Sequence, residues 1–187
     1  MDPVTPAELA AGRVHLRPWG PDDVDAFWAA QRDPAIRQWA GGADVHTRED
    51  ALAVLRRLTG QADRLSWAVV DPATGGLLGS ITLYRIDAVQ ATAQIGYWTA
   101  PAARGRGLAA AAVDAVAGWA FAALPIDRIE LLHGADNVAS ARVAHKAGFT
   151  HEAHLRRSHR YGDGRKHDEW LWGRLADDPG PETSRPG

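Results

Sequence analysis

The sequence predicts an α/β fold, a mixed, mostly antiparallel, twisted sheet flanked by about four helices. Three stretches carry that prediction. Gln94–Thr99 reads as a strand, Arg104–Gly107 as a glycine-rich turn and Leu108–Ala123 as an apolar helix, in immediate succession. Arg128–Leu132 is the next strand, and it must lie parallel to the Gln94 strand because a helix joins them. Ser66–Val70 and Leu77–Tyr84 flank the turn Asp71–Gly76 and read as an antiparallel hairpin.

The whole chain bounds the answer further. At 187 residues it is most simply one domain: 13–175 folded, 1–12 a loose lead-in, and 176–187 a polar, turn-forming tail expected to be disordered. A net charge of −2 gives no basis for a nucleic-acid or membrane-surface partner. The absence of cysteine excludes disulfides, cysteine-ligated zinc and cysteine nucleophiles. His151 and His154 fall on opposite faces of a predicted strand, so no metal is expected. Met1–Glu8 lacks the basic-then-apolar pattern of a signal peptide, and the apolar run after Gly107 suits a globular core, so a cytoplasmic location is expected.

Taken in order, Arg13–Arg17 alternates as a half-buried strand with Val14 and Leu16 on one face, closed by Pro18. Asp22 or Asp23 can cap a helix whose apolar face is Val24, Phe27, Trp28 and Gln31. Pro34 breaks it, Ile36 and Trp39 continue on a short second helix, and Gly41–Gly42 make a loop. Thr47 with Asp50 resembles a capping box before the face Ala51, Val54, Leu55 and Leu58. Pro101 ends the Gln94 strand, and Asp114 is the only charge of the helix after Gly107, which should be almost wholly buried. Asn137 is a good N-cap for a helix that stops at Gly148-Phe149. Thr150–Leu175 reads as two strands around the turn Tyr161–Gly164.

The junction before Leu108 has the chemistry of anion capture. Glycines let the backbone approach a ligand, and the first N–H groups of a helix have no partner within it. Arg104 and Arg106 add positive charge to that dipole end, in the spacing Arg104, Gly107, Ala109. A glycine turn before a core helix is the plain alternative.

In the run Gly-Tyr-Trp, then Pro, then Arg-Gly-Arg-Gly-Leu-Ala (Gly96–Ala109), with Asn137, Ser140 and Gly148-Phe149 downstream, the chain resembles the GNAT N-acetyltransferase superfamily. More narrowly it is similar to the RimJ/RimL-like branch, which includes ribosomal-protein N-terminal alanine acetyltransferases. The resemblance runs from Arg13 to Leu175. It implies a sheet that splays in the middle and acetyl-CoA as donor. The pantetheine would pair with the backbone of Tyr97, Trp98 and Thr99, and the pyrophosphate would sit on Arg104, Gly105, Arg106, Gly107, Leu108 and Ala109. It also implies that Asn137 meets the pantetheine or the acceptor, and that Ser140 protonates the departing thiolate. Trp39, His46 and the Gly41–Gly42 loop become candidate acceptor contacts, with core packing as their alternative. Arg142 and Lys146 could reach a nucleotide phosphate or simply face solvent. A homodimer is plausible for the family.

The chain departs from the pattern at Gln94, where many relatives carry Glu in a base role. Glutamine cannot take a proton at neutral pH but can hold a water. His133, at a strand end, is the substitute of most interest, and its ordinary pKa near 6.5 suits base work; a histidine bonded to backbone is its alternative. Glu152, His154, Asp168 and Glu169 are weaker candidates. The predicted reaction is direct acetyl transfer to a primary amine, with a protein or peptide N-terminus as acceptor. A small-molecule amine such as an aminoglycoside, polyamine or amino acid, or a non-catalytic acyl-CoA-binding module, are the rival readings. A Rossmann domain is disfavoured because its glycine loop would follow the first strand.

Overall fold

The computed structural model describes residues 5–40 and 45–181. Its strands are β1 (Leu9–Ala11), β2 (Val14–Pro18), β3 (Arg64–Val70), β4 (Leu77–Asp87), β5 (Thr92–Thr99), β6 (Arg128–Gly134), β7 (Thr150–Arg160) and β8 (Lys166–Leu175). The helices are α1 (Val24–Ala30), α2 (Pro34–Trp39), α3 (Arg48–Thr59), α4 (Leu108–Ala123) and α5 (Val138–Lys146). One eight-stranded sheet runs β1-β2-β3-β4-β5-β6-β8-β7. Among the described strands only β5 and β6 pair in parallel, as the helix between them requires.

Strand alternation sorts the side chains into two cores. Leu16, Trp67, Ile81, Leu83, Ile95, Ile129 and Leu131 face α4, where Val113, Val116, Ala117 and Ala120 meet them. Trp98 looks the other way, onto Phe27 of α1 and the layer that Ala51 and Leu55 of α3 complete. Burying each of these larger side chains contributes about 1.5–3 kcal/mol relative to leaving it exposed. The sheet is therefore a central layer, with α4 and α5 on one face and α1–α3 on the other.

Four local expectations change. The lead-in is not loose throughout: Leu9–Ala11 forms an edge strand on β2, and the Trp67 indole donates to the Ala7 carbonyl at 2.8 Å. Asp23 does not cap α1 with its side chain. Its carboxylate takes Gly20 N at 2.7 Å and both guanidinium nitrogens of Arg17, and so fastens the preceding 3₁₀ turn to β2. α4 buries one face only, leaving Ala111, Gly118, Ala122 and Ala123 exposed; alanine permits this because it offers solvent little apolar area. At the far end, Ala176 N donates to Asp127 O and the Asp178 carboxylate accepts Leu175 N, so the first residues after β8 are held. The Gly41–Gly42 loop and residues 182–187 lie outside the described residues.

The feature that positions the site is a parting of the sheet. β5 and β6 pair at Thr92–Arg128, Ala93–Ile129 and Gln94–Glu130 and nowhere beyond. β5 nevertheless follows β4 to Thr99, and β6 follows β8 to Gly134. The two halves of the sheet diverge from Gln94 onward.

Candidate active site

A cleft of about 1110 Å³ lies at the parting, lined by residues from both helix layers. Its walls follow from the backbone. Ala100 N donates to Leu78 O of β4 at 2.8 Å, while the Thr99 carbonyl accepts from Arg104 Nε on the other side at 3.2 Å. By the alternation of an extended chain, the N–H and C=O groups of Tyr97 and Thr99 therefore face the gap left by β6. An extended amide-bearing chain can complete that edge.

On the α4 face, the turn before the helix presents Gly105 and Gly107, both left-handed with φ of +74°, where a side chain would be strained. The first N–H groups of α4 open onto the cleft, with Arg104, Gly105, Gly107, Leu108 and Ala109 in its wall and Arg142 and Lys146 of α5 beside them. Arg106 is the member of the predicted anion turn that does not line the cleft; its carbonyl instead accepts from Arg13 at 2.8 Å. Arg104 also reaches Asp33, the residue that caps α2 through Ile36 N, and so ties the turn to the opposite layer. Hydrogen bonds from Arg104 hold the Asp33 carboxyl below the usual carboxylate range.

At the centre of the cleft Asn137 caps α5, accepting Ser140 N at 3.2 Å. The Ser140 hydroxyl lies 2.6 Å from the Tyr97 phenol, a contact that bridges the two diverging halves. Burial pushes the Tyr97 phenol up to about 12 despite the Ser140 hydrogen bond, so it is a neutral donor at pH 7. A neutral hydroxyl pair beside a helix N-terminus is suited to protonating a leaving thiolate.

His133 does not fill the base role. Its Nδ1 lies 2.8 Å from the Gly134 carbonyl and its Nε2 accepts the Trp172 indole N–H at 3.0 Å, so the second nitrogen's lone pair is already taken. Burial lowers its pKa as well. Gln94 lines the cleft but is held on both sides: Arg85 donates to its Oε1 at 3.3 Å and its Nε2 donates to Glu130 at 3.2 Å. Glu130 is itself engaged by Arg128, which also grips Glu152. His154 pairs with Asp168 at 2.9 Å. Glu169 is the carboxylate that lines the cleft among the described residues. It is buried, and accepts Ser158 Oγ at 2.7 Å and Tyr161 Oη at 3.0 Å.

Trp39 packs against the end of β6, where a Cβ on Gly134 would come within 2.6 Å of its ring, and meets Tyr161 edge-on at 5.2 Å. It walls the cleft on the α1–α3 face, together with Arg57, Arg64, Tyr84 and Arg85. Arg64, Tyr84, Arg85, Ser158 and Tyr161 also line the cleft, and the sequence alone does not single them out as site residues. No motif marks them; they meet only because the sheet parts. No cluster of His, Asp and Glu fit to hold a metal occurs among the described residues, and none of the described helices is long and apolar enough to cross a membrane.

Residues 13–150 match the acetyltransferase (GNAT) domain family. The uncharacterized N-acetyltransferase YoaA of Bacillus subtilis is 27% identical over 163 residues, 86% of this chain and 92% of that protein. Among solved structures, Mycobacterium smegmatis RimJ in complex with CoA-disulfide aligns with a TM-score of 0.82 and 26% identity, over 94% of this chain and 89% of its own. RimL, a ribosomal L7/L12 α-N-protein acetyltransferase in complex with coenzyme A, shares the fold at a TM-score of 0.80 and 20% identity, over 91% of this chain and all (100%) of its own.

Proposed function

Because the chain belongs to the GNAT acetyltransferase family, whose enzymes use acetyl-CoA, we propose that it moves an acetyl group directly to the α-amine of a protein or peptide N-terminus. The observation that carries this reading is the parting of β5 from β6 with the Tyr97–Ser140 contact across it. Pantetheine would complete the free edge at Tyr97 and Thr99, and its pyrophosphate would rest on the turn from Arg104 to Ala109. The amine enters from the α1–α3 face, past Trp39, and its nitrogen attacks the thioester carbonyl. A C–N bond forms as the C–S bond breaks. Ser140 passes a proton to the leaving thiolate, and the amine's proton goes to Glu169 or to water beside Gln94.

The acceptor reading rests on proton supply. With Gln94 neutral and His133 engaged, the site favours an amine that is already partly neutral. An α-amine with pKa near ~8 is about a tenth neutral at pH 7, whereas a lysine near ~10.4 is almost wholly protonated. The RimJ and RimL likenesses point the same way. Polyamines and aminoglycosides fit less well, since Arg57, Arg64 and Arg85 face the acceptor side with Glu169 as the one carboxylate among the described residues lining the cleft. The test is mass spectrometry of Ala- and Ser-started peptides after incubation with acetyl-CoA. One acetyl group on the α-amine supports the proposal; acetyl-CoA binding with no transfer to any amine would leave a binding module.

A further inference from the structure

The acceptor side of the cleft is electrically two-sided, and this deepens the reading just given. On one wall stand Arg64 at the start of β3 and Arg85 near the end of β4; on the other stands Glu169, held by Ser158 and Tyr161. Tyr84 lines the same cleft, its ring 5.7 Å from the Arg64 guanidinium.

Arg85 reaches this wall by a distortion. Ile81 and Leu83 face the α4 core, so alternation would send Arg85 there too. Instead the β4–β5 register slips between Tyr84 and Asp87, and Arg85 adopts a left-handed φ of +50°. That bulge turns its guanidinium to the opposite face, onto Gln94. Ile86 takes the core position that Arg85 vacates. Arg64 is the second observation. Its Nε is buried with no hydrogen-bond partner among the described residues, and its guanidinium sits 5.7 Å from the Tyr84 ring. Neither arginine has a carboxylate partner among the described residues, although ten of the described acidic groups elsewhere are paired with arginine or histidine. An orphaned buried donor beside a re-aimed arginine marks a site for an anion.

We propose that the acceptor carries a carboxylate close to its amine, seated on Arg64 and Arg85 while the amine faces Glu169. Two sources supply that chemistry: an acidic side chain at the first or second residue of a peptide, or the α-carboxylate of a free amino acid. A charge-assisted, guanidinium–carboxylate contact predicts a preference of about tenfold or more over the matching amide.

The test pairs binding with turnover. Isothermal titration into the CoA-loaded protein would compare N-acetylated Asp-started and Asn-started peptides, the same pair with the substitution at the second residue, and N-acetylalanine against its amide. Thiol release would rank the unacetylated forms. The expected result is an acid-over-amide preference that shrinks with added salt, collapses toward unity in Arg64→Met and in Arg85→Gln, and is partly kept in Arg64→Lys. Preference confined to the peptides identifies the side chain as the source; preference confined to N-acetylalanine identifies the α-carboxylate. Equal binding of acid and amide, binding of neither, or a preference unchanged in both arginine variants overturns the proposal. Turnover of neutral peptides without acid preference would leave peptide acetylation standing and sink this inference. Acid-selective binding without turnover would do the reverse.

Discussion

Replacing Ser140 with alanine separates the chemical role of this residue from its structural one. The Ser140 hydroxyl is 2.6 Å from the Tyr97 phenol and is that phenol's one side-chain partner among the described residues. Ser140→Ala strands a half-buried hydroxyl at the cleft wall, which costs up to about 1–3 kcal/mol of stability. In a domain of this size each kcal/mol moves Tm by about 2–4 °C. Tyr97→Phe in the same background removes the stranded group, so the double variant should recover much of the loss, with a coupling of about 0.5–3 kcal/mol. Catalysis should behave differently. If Ser140 protonates the thiolate, kcat falls about 10²-fold or more in the single variant and stays low in the double one. Urea unfolding and thiol release measured on the four proteins decide the matter. An unchanged kcat in Ser140→Ala refutes the general-acid role, and no stability coupling between the two positions refutes the hydroxyl pair.

Three further outcomes are expected. Glu169→Gln can keep hydrogen bonds to Ser158 and Tyr161 but cannot take a proton, so kcat at pH 7 should fall about 10²-fold while KM for acetyl-CoA holds; steady-state kinetics in both substrates checks it. Burial lowers the His133 pKa, so its share of stability is intact above about pH 6.5 and is lost below it, as the unfolded chain takes the proton first, by at most about 1.4 kcal/mol per pH unit. Urea midpoints at about pH 7.5 and about pH 5.5 should therefore differ less in His133→Gln than in the parent. Gly107→Ala places a Cβ in open space but at a φ of +74°, so it should cost about 1 kcal/mol through strain alone and raise KM for acetyl-CoA as the turn shifts.

What the sequence made legible is whatever local chemistry determines. Leu108–Ala123, the Asn137 cap, the Thr47–Asp50 box and the Asp71–Gly76 turn are set by propensity, capping and glycine placement within a few residues, and each stands where those rules put it. The edge strand Leu9–Ala11 was not legible, because a short stretch becomes a strand only when a neighbour such as β2 offers it an edge. Tyr97 and Ser140 stood out as members of separate motifs, but their contact across 43 positions depends on how far the sheet parts. Arg85 shows the deepest limit. Alternation assigns it to the core face, and only the bulge at Tyr84–Asp87 sends it into the cleft. His133 was attractive for its residue type and strand-end position; the Trp172 indole that occupies its second nitrogen comes from a strand 39 residues away.

The measurement that bears most directly on acetyl transfer to an α-amine is kcat/KM for two peptides of the same sequence near pH 7. One has a free Ala N-terminus and no lysine; the other has a blocked N-terminus and one lysine. The free N-terminus should be acetylated at least about tenfold more efficiently, in line with its larger neutral fraction. Efficient acetylation of the lysine with none at the free N-terminus would contradict the account.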